Sequence, residues 1–270
     1  MDYVPFGPVK VSRFILGTNM ISGFSHVSPE KNREMMRYYT ADRIKQTFRE
    51  AEALGVTALV GRAGFHILRV LMEHWDEGGT IQWFAQTAAE VTAHTPCVDR
   101  AAFGGAKGCH IHGGVMDFLY AQNRLEEIRP VIELIRERGM LAGVAGHNPK
   151  VFEWAERNLD LDYYMCSYYN AARRDERPDH VPGMKEWFHD EDRRIMRDLI
   201  QTLSRPVIHF KVLAAGRNDP AEAFAHVAQA LRPQDAVCVG VYAKDKPDML
   251  REDVALLYAA LEARAAASHT

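Results

Sequence analysis

The sequence predicts an α/β fold, a single-domain (β/α)8 TIM barrel, on three observations. Short apolar β-like runs alternate with amphipathic helical runs along the chain, and eight such units can be counted. The 270 residues, 47% hydrophobic and 26% charged, suit one globular α/β domain with a large core rather than two. Thr40, Gly55, Gly139 and Pro149 stand where such units need a helix start or stop.

The first strand is read as Val11 to Gly17, ending in Thr18-Asn19 ahead of a long loop that carries Ser25, His26 and the pair Tyr38-Tyr39. Thr40 caps a helix from Ala41 to Leu54, whose Ile44, Phe48, Ala51 and Leu54 recur at helical spacing, and Gly55 ends it. The second strand, Val56 to Val60, runs into Gly61-Arg62-Ala63-Gly64-Phe65 and a helix from about His66 to His74. Thr80 to Gln86 makes the third strand. Met140 to Gly146 is the fifth, stopping at His147-Asn148-Pro149, and Asp162 to Ser167 the sixth. A long irregular insertion, residues 170–191, follows and is expected to serve as a lid or an interface. Pro206 to Leu213 and Ala236 to Val241 complete the barrel, with a last helix to about Ala266.

The fourth strand organises the rest. Cys109-His110-Ile111-His112-Gly113-Gly114 places two histidines two residues apart before a glycine pair, and the next helix runs from Leu125 to Arg138. Residues two apart share one face of a strand, so His110 and His112 point the same way. His110 reads equally as a core or a functional residue; His112 stands at the strand end, where parallel barrels keep their chemistry.

Composition narrows the partners. A formal net charge of −3 gives no basic excess, which argues against nucleic acid or an anionic membrane surface. The N-terminus lacks a charged segment followed by an apolar core, and no apolar run approaches the ~20 residues that a membrane span needs. Four widely spaced cysteines, Cys97, Cys109, Cys166 and Cys238, form no CxxC pair and are expected to be reduced. The expectation is a cytoplasmic protein with a small-molecule substrate and no nucleic-acid or membrane partner, with homo-oligomerisation left open.

Four short segments carry a family resemblance over almost the whole chain. Val9-Lys10-Val11-Ser12-Arg13-Phe14-Ile15-Leu16-Gly17-Thr18 resembles the first strand of the aldo-keto reductases, which typically reads KVSRLGLGT. Gly143-Val144-Ala145-Gly146-His147-Asn148-Pro149 stands where that family has GVSN and a proline, and Tyr168-Tyr169-Asn170 falls on its EYN. Val241-Tyr242-Ala243-Lys244 with Leu250-Arg251-Glu252-Asp253 is similar to its last loop and helix. The resemblance implies the same barrel but not the same chemistry. The family's catalytic Asp falls on Val60, its Tyr on Phe65 and its Lys on Gln86, while its His survives as His112. Phenylalanine and valine have no proton to give. The family's nicotinamide contacts fall on Ala145, Gly146 and Cys166, and a cofactor-binding serine falls on Lys211.

Another polar set is expected at the strand ends: Asn19, Arg62, Gln86, His112, His147, Cys166 and Lys211. Lys211 interrupts an apolar strand, and a desolvated lysine serves as base, electrostatic stabiliser or imine nucleophile. Two chemistries fit. In one, His112, His147 and Cys166 hold a divalent transition metal with Lys211 beside it. In the other, His112 and Lys211 are the catalytic pair for acid–base or imine work on a carbonyl compound. Asn19, Arg62, Gln86, Tyr169 and Tyr242 are the candidate substrate contacts. Lys244 and Lys246, before the last helix, are candidate holders of a substrate or dinucleotide phosphate. The leading functional expectation is a non-redox lyase, isomerase or hydrolase acting on a small sugar-like or carbonyl substrate. Its rivals are an NADP-dependent reductase with an atypical site and a catalytically inactive metabolite-binding barrel.

Overall fold

Eight parallel strands close on themselves in the computed structural model, which describes residues 2–89, 94–173 and 186–267. They are β3 (Phe14–Gly17), β4 (Ala58–Arg62), β5 (Gln82–Gln86), β6 (Gly108–Ile111), β7 (Leu141–Gly146), β8 (Tyr163–Ser167), β9 (Val207–Phe210) and β10 (Ala236–Gly240). β10 returns to β3 through Gly240 opposite Gly17, so the barrel has no open edge. Helices cover the outside: α1 (Pro29–Tyr38), α2 (Ala41–Ala53), α3 (Phe65–Asp76), α4 (His94–Phe103), α5 (Gly113–Ala121), α6 (Arg129–Glu137), α7 (Pro149–Asn158), α8 (Asp190–Ile200), α9 (Pro220–Ala230) and α10 (Met249–Ala267). None is long and apolar enough to cross a membrane, among the described residues.

Several helix ends behave as their residues dictate. Thr40 accepts the Arg43 amide at the start of α2, and Asn148 caps α7 ahead of Pro149. Gly55 and Gly139 take the left-handed turn after α2 and α6. Near the N-terminus two expectations change, and beyond β6 the helix α5 precedes the one expected from Leu125. The first strand is not continuous: Tyr3–Phe6 (β1) and Val9–Ser12 (β2) form an antiparallel hairpin that turns at Gly7, and only Phe14–Gly17 enters the barrel. The loop before Tyr38 instead holds α1, capped by Ser28. Part of the 170–191 insertion, 174–185, lies outside the described residues.

The hairpin plugs the barrel floor. Val4, Phe6 and Val11 pack against Ile15, Ala58, Phe84 and Tyr163, with the Phe6, Phe84 and Tyr163 rings 5.6 to 6.0 Å apart. Tyr163 fills the centre because Gly143 faces it; a Cβ there would lie 2.7 Å from the ring. His110 belongs to this interior layer, its Nδ1 3.0 Å from the Tyr163 hydroxyl, and burial pushes its pKa down to about 3. It is a neutral core residue beneath the mouth.

Alternation along each strand sorts the remaining residues. Tyr163 and Met165 point into the barrel, so Tyr164 and Cys166 point to the helices, and Cys166 is fully buried in the outer core with Val144 and Phe152. On β9 the outward His209 is wholly buried between the Tyr168 hydroxyl, 3.0 Å from Nδ1, and Asp235, 3.1 Å from Nε2. Asp235 also accepts the Val207 amide and the Arg232 guanidinium. Replacing Asp235 by alanine strands the Arg232 charge and the His209 ring. Urea unfolding of Asp235→Ala is expected to show a loss of about 3–5 kcal/mol; a loss below about 1 kcal/mol would show that this network does not hold the last two strands.

Candidate active site

The C-terminal ends of the strands open on a cavity of about 620 Å³. Its wall includes Asn19, Arg62, Gln86, Lys211, Tyr242 and Lys246, six of the residues expected there from sequence. His112, His147, Tyr169, Lys244 and Cys166 are not on that wall. The charges facing the cavity balance: Lys31, Arg62, Lys211 and Lys246 are matched by Asp219, Asp245, Glu252 and Asp253.

Lys211 lies just past β9, not inside it. The strand stops at Phe210, and Lys211 takes a left-handed φ of 57°, a conformation that costs a non-glycine residue on the order of 1–3 kcal/mol. That turn aims the side chain at the mouth. Its Nζ lies 3.4 Å from Glu186 Oε2, and burial lowers its pKa despite that carboxylate. Glu186, at the returning end of the long insertion, also meets His26 Nδ1 at 3.0 Å. Burial alone would raise Glu186, but the His26 hydrogen bond and the Lys211 charge prevail and hold its carboxyl down at about 2. His26 is pushed down, first by burial and then by Lys211. Asn19 Nδ2 completes the set, 3.4 Å from His26 Nε2. Phe188 roofs it, stacked against the Arg217 guanidinium at 4.3 Å.

Beside this trio stands a histidine held by a buried carboxylate. Asp117, in α5, places Oδ2 2.6 Å from His147 Nδ1, while its Oδ1 accepts the amides of His147 and Asn148 at 3.0 and 3.1 Å. The carboxylate requires the proton on Nδ1, which leaves Nε2 as the acceptor nitrogen. Gly113 makes room, since a Cβ there would lie 3.0 Å from the imidazole. His147 is within electrostatic reach of His26 and Glu186, and Asp117 of Lys211, so the two groups form one charged cluster.

His112 directly follows the last residue of β6. It is the N-cap of α5, and its Nδ1 accepts the Gly114 amide at 3.1 Å. The expected metal set does not assemble. Cys166 faces the helices, its thiol pushed well up by burial, and the Nδ1 atoms of both histidines are engaged by the protein. Among the described residues no group of three His, Cys, Asp or Glu is placed to hold a metal ion. Nor do the two lysines offer free cations to a phosphate: Lys244 pairs with Glu34 at 3.1 Å and Lys246 with Glu252. Tyr169 is buried and takes a hydrogen bond from Asn218 at 2.7 Å, and Tyr242 donates to Glu34 at 2.9 Å. Phe65, at the start of α3, is exposed beneath the Arg100 guanidinium at 4.1 Å.

Three functional candidates, Asp117, Glu186 and His26, escape a search of strand ends because a helix and two loops supply them. The spacing His112-Gly113-Gly114 with Asp117 five residues after the histidine was the available signal for the first. Asp253 also lines the cavity, and burial pushes its carboxyl up to about 7.

Comparison with known proteins identifies the fold. No protein-family model matches the chain, and no curated protein matches it either. Among solved structures, a Pseudomonas aeruginosa protein provisionally assigned as an aldo-keto reductase superposes with a TM-score of 0.62 at 18% identity, covering 96% of both chains. The holo form of an aldo-keto reductase from Bacillus halodurans gives 0.58 at 12% identity over 95% of this chain and 90% of its own. A truncated 3-deoxy-D-arabino-heptulosonate 7-phosphate synthase from Thermotoga maritima gives 0.58 at 12% identity over 98% and 92%. The chain is an aldo-keto reductase-like barrel in fold.

The raised Asp253 carboxyl has a measurable consequence. Between its unfolded value of 3.8 and about 7 the folded state binds more protons, so this group's contribution falls as pH rises across that window. Asp253→Asn removes the slope. Its stability relative to wild type is expected to rise by about 2–4 kcal/mol between pH 4 and pH 8 in denaturant melts, whereas parallel curves would show that Asp253 ionises normally.

Proposed function

We propose that this barrel is a non-redox enzyme, a lyase, isomerase or hydrolase, acting on a small polar, sugar-like or carbonyl substrate by histidine and lysine acid–base chemistry. The observation that carries the reading is the Asp117–His147 pair within electrostatic reach of the Lys211–Glu186 cluster at the barrel mouth. Asp117 keeps the His147 ring in one tautomer and one orientation, which leaves Nε2 to exchange a proton with a substrate. General acid–base groups so placed contribute about 10²–10⁴-fold in rate.

Lys211 supplies the second element. A desolvated ammonium beside a carbonyl or hydroxyl oxygen stabilises the negative charge that grows when a neighbouring proton is removed. Glu186 and His26 hold that side chain over the cavity before substrate arrives. Asn19, Arg62 and Gln86 supply hydrogen-bonding groups around an oxygen-rich ligand. Where the family resemblance places a proton-donating tyrosine and an aspartate, Phe65 is exposed and Val60 is an interior apolar residue, which supports a non-redox reading.

A panel of aldoses, ketoses and hydroxy-carbonyl compounds tests this, with product analysis in the absence of nicotinamide. His147→Ala is expected to lower kcat about 10²-fold or more on whichever substrate turns over, and Asp117→Asn to lower it through the altered tautomer. Turnover that requires NADPH, or full activity in His147→Ala, would contradict the proposal.

A further inference from the structure

Beyond Lys211 the cavity is walled by an arm made of the segment after β9 together with β10, the turn after it and α10, and this arm includes the apolar Val239, Met249 and Leu256. Among the charged groups of that wall, Asp253 stands apart. Asp253 on α10 is 3% exposed, lines the cavity, and its Oδ2 has no hydrogen-bond partner. Leaving a carboxylate oxygen buried and unmatched carries a desolvation cost, and a native fold that keeps one calls for an explanation. The neighbouring cation does not supply it, because Lys246 is paired with Glu252.

We propose that this arm binds the ammonium end of an amine with an apolar body, with Asp253 as its counter-ion. An alkylammonium head provides up to three N–H donors and a full positive charge to the unmatched carboxylate. Its carbon stem lies along Met249 and Leu256. An anion is the poorer occupant, because Glu252 and Asp245 stand on the same wall and the nearest lysines already have carboxylate partners. A neutral alcohol satisfies a hydrogen bond and leaves the charge uncompensated. The upward push that burial gives Asp253 agrees with a carboxylate whose partner comes from outside the chain. This inference is independent of the chemistry assigned to His147 and Lys211, since it concerns binding in the arm alone.

Calorimetric titration of the full chain at low salt and pH 8, with hexylamine, hexanol and hexanoate as probes, tests it. Hexylamine is expected to bind at least about tenfold more tightly than hexanol, as a charged hydrogen-bonded pair over a neutral one implies. Asp253→Asn is expected to remove at least about tenfold of the hexylamine affinity and to leave hexanol within about twofold. Lys246→Met, which removes a nearby positive charge that repels an ammonium, is expected to tighten hexylamine. Equal binding of amine and alcohol, tighter hexanoate, undiminished hexylamine affinity in Asp253→Asn, or no hexylamine binding at all would each overturn the proposal.

Discussion

The mouth of this barrel is organised by one carboxylate that water does not reach. The Asp117 side chain is fully buried, and its two oxygens take three donors: the amides of His147 and Asn148 and the imidazole Nδ1 of His147. A buried charge without such partners would be prohibitive, so the donors and the carboxylate fix one another. The bond set ties α5 to the turn between β7 and α7, joining two adjacent units whose strands β6 and β7 pair in parallel. It also explains Gly113, where a side chain would press on the imidazole. One residue thus joins secondary structure, packing and the aim of a candidate acid–base group.

The second cluster is held by charge rather than by backbone amides. Glu186 sits between Lys211 and His26: burial works against the charge on all three, Lys211 and His26 nevertheless keep the Glu186 carboxyl ionised, and Lys211 opposes protonation of His26. The geometry depends on a left-handed Lys211 just beyond the end of β9 and on the segment of Glu186 and Phe188, with Phe188 against Arg217. Strain and a desolvated cation in one place are features that a packed core alone has no use for.

Much of the frame is legible in the sequence because it follows local rules. Thr40, Gly55, Gly139 and Pro149 mark helix ends by backbone chemistry that needs no tertiary context, and period and length separate the strands from the helices. The N-terminal hairpin is hidden because Val9 to Leu16 contains no glycine or proline to break it, and only the hydrogen-bonded register of Val9–Ser12 against Tyr3–Phe6 divides it. Cys166 illustrates a second limit. Parallel strands are buried on both faces, so Tyr163, Tyr164, Met165 and Cys166 carry no polar alternation to say which points inward. The site is legible mainly where strand ends and the last loop supply it. Asn19, Arg62, Gln86 and Lys211 reach the cavity, whereas Asp117, Glu186 and His26 arrive from a helix and from loops whose paths depend on the folded barrel.

The central claim is that Asp117 fixes the His147 ring with its proton on Nδ1. Nitrogen-15 NMR of the imidazole resonances in the intact protein at neutral pH tests this most directly. The account predicts a single slowly exchanging Nδ1–H for neutral His147, with Nε2 unprotonated, and loss of that signature in Asp117→Ala. An Nε2–H tautomer, or a ring that averages between tautomers in the wild type, would contradict it.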